Sequence, residues 1–128
     1  LDKKNKAESL DVATDYNSLA EAKRLSLDYA GAEADYNEAL RIAKKVKDDE
    51  GIAIYTHNLA LLTLDRGEWS QGESLAREAL ALAEKLNRQE AIANCCMVLA
   101  KALAKQERQQ ESEDFAKRAA EIYERLKL

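Results

Sequence analysis

Few side chains in this 128-residue sequence could do chemistry, and they do not form a catalytic or metal-binding pattern. His57 is the only histidine, so neither a histidine pair nor a Ser-His-Asp arrangement can be built around it. Cys95 and Cys96 are adjacent, whereas a C-x-x-C spacing brings two thiolates onto one zinc ion. We therefore expect neither a metal nor another cofactor.

The remaining reactive groups have structural interpretations. Cys96 is expected to be a small apolar filler of the core, Cys95 is expected to be more accessible, and reduced thiols are typical of a cytoplasmic protein. Glu111, Glu113 and Asp114 fall at the predicted start of a helix, where negative charge favours the positive end of the helix dipole. We therefore predict that this segment has no enzyme activity.

The composition favours helix and argues against several kinds of partner. Lys and Arg number 20 and Asp and Glu 24, interspersed, for a net charge of −4, which predicts no nucleic-acid stripe and no basic membrane anchor. The longest apolar run, 95–100, is too short to span a membrane. Proline is absent and glycine numbers 4, as in mostly helical chains. Because the chain begins at Leu1 rather than Met, we expect a fragment of a longer cytoplasmic protein.

An internal repeat organises the chain, with a period of 40 residues, the distance from Ala13 to Ala53 and from Ala53 to Ala93. The same offset relates the Leu-Ala pairs at 19–20, 59–60 and 99–100, and the alanines at 39, 79 and 119. Three repeat units are therefore predicted, in a single domain spanning 1–128, at about 10–49, 50–89 and 90–128.

The central unit has the residue spacing of two helices. Its inward residues recur every three or four positions, at Ile52, Thr56, Leu59 and Thr63 and again at Leu75, Ala79, Leu82 and Leu86. Gly67 can adopt positive φ and end the first helix, and Ser70 with Glu73 has a capping-box pattern that predicts Ser70 as the start of the second. Applied to all units, this predicts helices at about 9–27, 31–47, 50–66, 70–87, 90–106 and 110–127.

Small residues recur where the two helices of each pair are expected to cross closely, at Ala20, Ala60 and Ala100, at Ala32, Gly72 and Ser112, and at Ala39, Ala79 and Ala119. This pattern resembles the tetratricopeptide repeat family. The central unit carries it on Thr56, Leu59, Ala60, Gly67, Trp69, Gly72, Ala76 and Ala79. The chain departs from the family's pattern in lacking the usual proline at the end of the second helix. Its longer period of 40 resembles the repeats of kinesin light chains and of bacterial signal-transduction ATPases.

The resemblance implies an all-α fold, an α-solenoid of three antiparallel helix pairs stacked in a right-handed superhelix. It also implies a non-catalytic module that binds a peptide or helix of a protein partner in a concave groove formed by the first helix of each unit. The family's groove positions fall on Asn17, Glu21, Ile54, His57, Asn58, Leu61, Asn94, Met97, Val98 and Lys101. With Lys105 nearby, this surface favours a partner with an apolar anchor and acidic flanks.

Four alternatives remain open at this point. The apolar groove residues could instead pack against neighbouring repeats, and Asn58 could be solvated or bonded locally rather than to a peptide. The chain could be a structural element that forms a homo-oligomer through the exposed edges of its terminal repeats, because the final helix stops at Leu128. It could also be the sensor array of a larger regulatory ATPase.

Overall fold

The computed structural model describes residues 3–127, and within that range it contains six α-helices and no strand. Leu1, Asp2 and Leu128 lie outside the described residues. The helices are α1 (Lys3–Leu25), α2 (Tyr29–Lys45), α3 (Asp49–Asp65), α4 (Trp69–Lys85), α5 (Gln89–Lys105) and α6 (Gln109–Leu126). The predicted all-α fold is confirmed. The main difference is that α1 begins at Lys3 rather than near residue 9, so the polar segment before residue 9 is helical from Lys3 onward.

The same three-residue turn joins every pair of consecutive helices. After α3, the Gly67 N–H donates to the Leu64 carbonyl at 2.9 Å, and the Glu68 N–H donates to the Thr63 carbonyl at 3.1 Å. These two bonds define a Schellman motif, and equivalent bonds occur after α1, α2, α4 and α5. Each 40-residue period therefore contains two helices, and the same backbone turn follows each helix that is joined to another.

The central residue of each of these turns has a left-handed backbone. Gly67 has φ of 76°, as predicted, but Leu27 (68°), Lys47 (59°) and Glu107 (61°) adopt the same conformation without being glycine. An L-residue in this region costs roughly 1–2 kcal/mol. The packing of successive helices therefore imposes the turn even where the local sequence disfavours it.

The prediction that Ser70 starts the fourth helix is wrong. Helix α4 begins at Trp69, the capping position is Glu68, and no side chain bonds the helix end there. The three-residue turn after α3 fixes the start of α4, so Ser70 falls inside the first turn. A side-chain cap does form on α2, where the Gly31 N–H donates to Asp28 Oδ1 at 3.0 Å.

The small residues lie buried between the helices of each pair, as predicted. Helix α3 packs tightly on α4 at Gly72, where an added Cβ would lie 2.6 Å from Leu64 Cδ2. In the third pair, the Ser112 hydroxyl donates to the Ala100 carbonyl at 2.7 Å. Since even a methyl group would collide at Gly72, small side chains set the separation of the two helix axes.

Each helix packs on the next helix of the chain, and α3 also contacts α5 directly. The buried residues form three clusters that follow this stack from α1 to α6 instead of one central core. The result is a helical-repeat solenoid in which the first helices of the second and third units face each other.

The left-handed turns give a stability prediction. Leu27 is 72 % exposed, so replacing it by glycine removes backbone strain with little loss of packing. We expect Leu27→Gly to raise the free energy of unfolding by up to about 1 kcal/mol in urea denaturation. Gly67→Ala should lower it by a similar amount. A Leu27→Gly protein less stable than the parent would contradict this interpretation.

Candidate binding cleft

Two adjoining cavities lie between α3 and α5, where the end of α4 closes their inner side. Their volumes are about 280 Å³ and about 220 Å³. We call this combined space the α3–α5 cleft. Both cavities are lined by Ala53, Ile54, Ala83, Ala91 and Asn94. The larger one adds Glu50, Leu86, Arg88 and Glu90, and the smaller one adds His57, Asn58 and Cys95.

The cleft is open because its walls carry short side chains. Ala53 on α3, Ala83 on α4 and Ala91 on α5 contribute only methyl groups to the space between the helices. Ile54 stands at the edge and is 50 % exposed, which is unusual for a side chain that gains 1.5–3 kcal/mol on full burial. The cleft therefore combines an apolar floor with an exposed apolar rim.

Polar side chains form a chain of hydrogen bonds along one side of the cleft. Asn58 Nδ2 on α3 donates to Asn17 Oδ1 on α1 at 2.8 Å. The Asn58 oxygen lies 3.2 Å from His57 Nδ1, and because it can only accept, Nδ1 carries the proton and donates. On α5, Asn94 accepts a hydrogen bond from the Tyr123 hydroxyl of α6. These bonds orient the amide groups that border the cleft.

His57 is held in the neutral form by its surroundings. Burial lowers the pKa of the imidazole below its usual 6.5, and the contacts with the Asn58 side chain and the Asn94 backbone oppose this only partly. A neutral ring is consistent with the one N–H that the bond to Asn58 requires. The histidine is thus a polar wall of the cleft rather than a charged one.

An ion pair and a cation–π contact lie at the C-terminal ends of α3 and α5, away from the cleft. Arg24 on α1 pairs with Asp65 on α3 at 2.9 Å, linking the first two units. On α5, Lys105 Nζ lies 5.4 Å from the centre of the Trp69 ring, a favourable cation–π distance. Lys101 is exposed one turn away. This end of α5 therefore carries positive charge at the surface.

The structure brings some of the predicted groove residues together and separates others. Ile54, His57, Asn58 and Asn94 line the cleft, and Asn17 joins them through its bond to Asn58. The other positions lie outside the two cavities: Glu21 accepts from the Tyr36 hydroxyl at 3.2 Å, Leu61 packs half-buried on the core, Met97 is 45 % exposed, and Lys101 is exposed. Their contact with a peptide stays a prediction.

Val98 and Cys95 differ from the expectations for them. Val98 is 4 % exposed and lies in the cluster that joins α3 to α6, so it packs against neighbouring helices instead of lining a groove. Cys95, expected to be the more accessible thiol, is 2 % exposed, and burial raises its pKa to about 12. Cys96 is fully buried, as expected for a core filler. Neither thiol has the lowered pKa of a reactive cysteine.

Sequence reasoning missed the walls of the cleft. Ala53, Ala83 and Ala91 look like ordinary packing alanines, Leu86 is predicted as an inward residue of the fourth helix, and Arg88 falls at a predicted turn. One signal was available in the alignment of the repeats, because Cys95 stands where the central unit has the much larger Tyr55. A large-to-small exchange at a buried position predicts unfilled space.

Two further properties bear on the kind of site. Among residues 3–127, no group of three His, Cys, Asp or Glu side chains is placed to hold a metal ion. Within the same range, no helix has the length and apolar character needed to cross a membrane.

The paired helices and their crossings at small residues match models of a known protein family. Two family models, both described as tetratricopeptide repeat, match residues 10–85 and 92–126. The chain belongs to the tetratricopeptide repeat family. Tetratricopeptide repeats generally mediate protein–protein interactions and are typically non-catalytic. No curated protein matches the chain significantly in sequence.

Solved structures with the same repeat fold resemble the chain closely in shape. BtubC (BKLC) from P. vanneervenii superposes with a TM-score of 0.83 at 21 % identity, covering 91 % of this chain and 48 % of that one. Nearly identical, kinesin light chain-like TPR repeats from Podosopora anserina give a TM-score of 0.73 at 18 % identity, covering 90 % of this chain and 56 % of that one. The chain spans about half the length of these structures. The predicted kinesin-light-chain type of repeat is confirmed at the level of the fold.

The environment of His57 predicts a pH dependence. Since its pKa is lower in the folded protein than in the unfolded chain, the unfolded chain binds more protons at acid pH. The stabilisation is complete above about pH 6.5 and is lost as the pH falls below that value. We expect urea denaturation to show that the free energy of unfolding falls more between about pH 7.5 and about pH 5.5 for the parent than for His57→Gln. Equal losses would show that His57 is not held neutral.

Proposed function

We propose that the chain is a non-catalytic protein-interaction module whose α3–α5 cleft binds a peptide or helix of a partner protein. The supporting observation is the cleft itself, where Ile54 is 50 % exposed beside a space that the chain's own side chains do not fill. Concave, mostly apolar sites with a few oriented polar groups are the usual form of binding pockets.

The polar edge of the cleft suits the backbone of an extended peptide. A side-chain amide can donate and accept hydrogen bonds, as a peptide unit does. The Asn94 oxygen accepts from the Tyr123 hydroxyl, which leaves the amide nitrogen of Asn94 to donate to a ligand carbonyl at the cleft. Asn58 has its amide nitrogen engaged with Asn17, so it offers a peptide its oxygen only in competition with His57. Asn94 is therefore the better placed of the two to bond a ligand backbone.

The charge distribution supports acidic flanks on the partner. At the cleft, Arg88 pairs with Glu50, so these two charges neutralise each other. Lys101 and Lys105 instead present positive charge towards the C-terminal end of α5. A peptide with an apolar anchor in the cleft and acidic residues running towards these lysines complements the surface, and this charge pattern increases the rate and specificity of association.

Substitution at the rim tests this function. Peptides are first selected against the parent protein from a display library and synthesised with a fluorophore. We expect Ile54→Asp to weaken their binding at least about tenfold in fluorescence anisotropy, because central apolar contacts carry most of the energy of an interface. Their affinity should also fall as ionic strength rises if acidic flanks reach Lys101 and Lys105.

Leu27→Asp is the matched control for this experiment. It also places an aspartate on an exposed aliphatic position, but at the turn between α1 and α2, away from the cleft. Binding to this variant should equal that of the parent. If a folded Ile54→Asp protein bound the selected peptides as tightly as the Leu27→Asp protein, the cleft would not be their site.

A second candidate function is self-association through the first helix. Val12 and Leu19 on α1 are 45 % and 48 % exposed, whereas their equivalents Ile92 and Leu99 on α5 are 4 % and 0 % exposed. In the third unit that face is covered by α4, the second helix of the preceding unit. Helix α6, like α4, is the second helix of its unit. The α6 helix of another copy would therefore cover α1 as α4 covers α5.

Light scattering over a range of protein concentrations distinguishes this candidate. Head-to-tail contact does not close on itself, so we expect an apparent mass that increases continuously with concentration. Leu19→Glu should shift the protein towards monomer, while Glu124→Gln on α6 leaves the apolar contact on α1 intact. A constant monomer mass for the parent protein would reject self-association.

A further inference from the structure

We infer that the α3–α5 cleft receives one aromatic side chain of the partner, a phenylalanine- or tyrosine-sized ring, in the place that Tyr55 occupies one repeat earlier. This inference rests on the proposed function, because it specifies which group of the bound peptide enters the cleft.

The first step is the position of Tyr55. Its ring is 6 % exposed and packs with Ala13 and Ala43, between the first and second units. Thr14 is near enough to the Tyr55 hydroxyl to oppose the rise in its pKa that burial causes. The space beside these three residues is thus filled by an aromatic ring that the chain itself supplies.

The second step is the same location one unit later. The equivalents of Ala13, Thr14 and Ala43, displaced by one 40-residue period, are Ala53, Ile54 and Ala83. All three line the cavity of about 220 Å³. The cavity therefore lies where the repeat of the fold places the Tyr55 ring.

The third step explains why the space is unfilled. The residue equivalent to Tyr55 is Cys95, which also lines this cavity. A cysteine has no ring and reaches only one atom beyond Cβ, so it cannot occupy the volume that Tyr55 occupies. Because the neighbouring helices keep the same small wall residues and the same turns, they do not collapse into the space.

The chemistry of the walls fits an aromatic guest. Alanine methyl groups and Ile54 form an apolar lining that offers water few hydrogen bonds, so displacing solvent from it by a ring is favourable. His57 and Asn94 stand at the edge, where the hydroxyl of a tyrosine can find a polar partner. An aliphatic side chain would fill less of the space and make fewer contacts.

Titration with single amino-acid amides tests this inference directly. The probes are N-acetyl-tyrosinamide, N-acetyl-phenylalaninamide and N-acetyl-leucinamide. Their binding is measured from the shifts of the backbone amide resonances of Ala53, Ala91 and Asn94 in ¹H–¹⁵N NMR spectra. We expect saturable shifts from the two aromatic probes, with an affinity about fivefold or more above that of the leucine probe.

Two variants replace the two cysteines, one in each variant, by the residues at the equivalent positions of the central unit. Cys95→Tyr restores the ring of Tyr55 and should weaken the aromatic probes by at least about tenfold, because the cavity is then filled from within. Cys96→Thr introduces the residue found at Thr56, and since Cys96 lines neither cavity, this control should bind as the parent does. If Cys95→Tyr does not fold, Ala91→Leu fills the same space from a half-exposed position.

The outcomes separate this inference from the proposed function. Equal affinity of the aromatic probes for the parent and for a folded Cys95→Tyr or Ala91→Leu protein would overturn the inference, as would a leucine probe that binds equally well or an absence of saturable shifts. If display-selected peptides lost affinity for Ile54→Asp but not for Cys95→Tyr, the proposed function would stand without the aromatic site. If the aromatic probes bound but no display-selected peptide did, the aromatic site would stand without the peptide-binding function.

Discussion

Every helix of this solenoid after the first is positioned by the same physical constraint, a three-residue turn closed by two backbone hydrogen bonds. The turn reverses the chain and fixes the first residue of the next helix, so residues 40 positions apart enter the same surroundings. Close crossings at alanine, glycine and serine then hold the helices of each pair together. Without these regular turns, residues 40 positions apart would not lie in equivalent surroundings.

The repeat units differ from one another at some equivalent positions. The three units share their crossing residues and their turns, but the ring of Tyr55 has no counterpart in the third unit, where Cys95 stands. The backbone does not close around this change, because alanine contacts elsewhere along α3, α4 and α5 maintain the separation of the helices. The cavity between the second and third units lies beside Cys95, where the central unit has the larger Tyr55.

The polar groups around the cleft also depend on neighbouring units. Asn58 is oriented by Asn17 of the first unit, and Asn94 by Tyr123 of the last helix. The bond between Arg24 and Asp65 adds a further link between α1 and α3. The first and third units therefore support the central one, and no unit alone would present this arrangement of side chains.

Much of the fold could be predicted from the sequence, because it depends on periodic features that each unit repeats. The six helices, the left-handed backbone of Gly67 and the burial of the small residues all follow from spacing and residue type. The start of α4 was predicted wrongly, since the capping pattern at Ser70 is a local preference of modest energy that the turn overrides. Cys95 and Val98 were misjudged because their burial depends on which helices flank α5.

The sequence by itself determined that the chain is helical and that it repeats with a period of 40 residues, because helix-forming composition and repeated spacing are local properties of the chain. Only the tertiary structure decided where side chains leave space and which polar groups meet across units. The cleft is a property of distances between α3, α4 and α5, and those distances are set by contacts among all three helices at once.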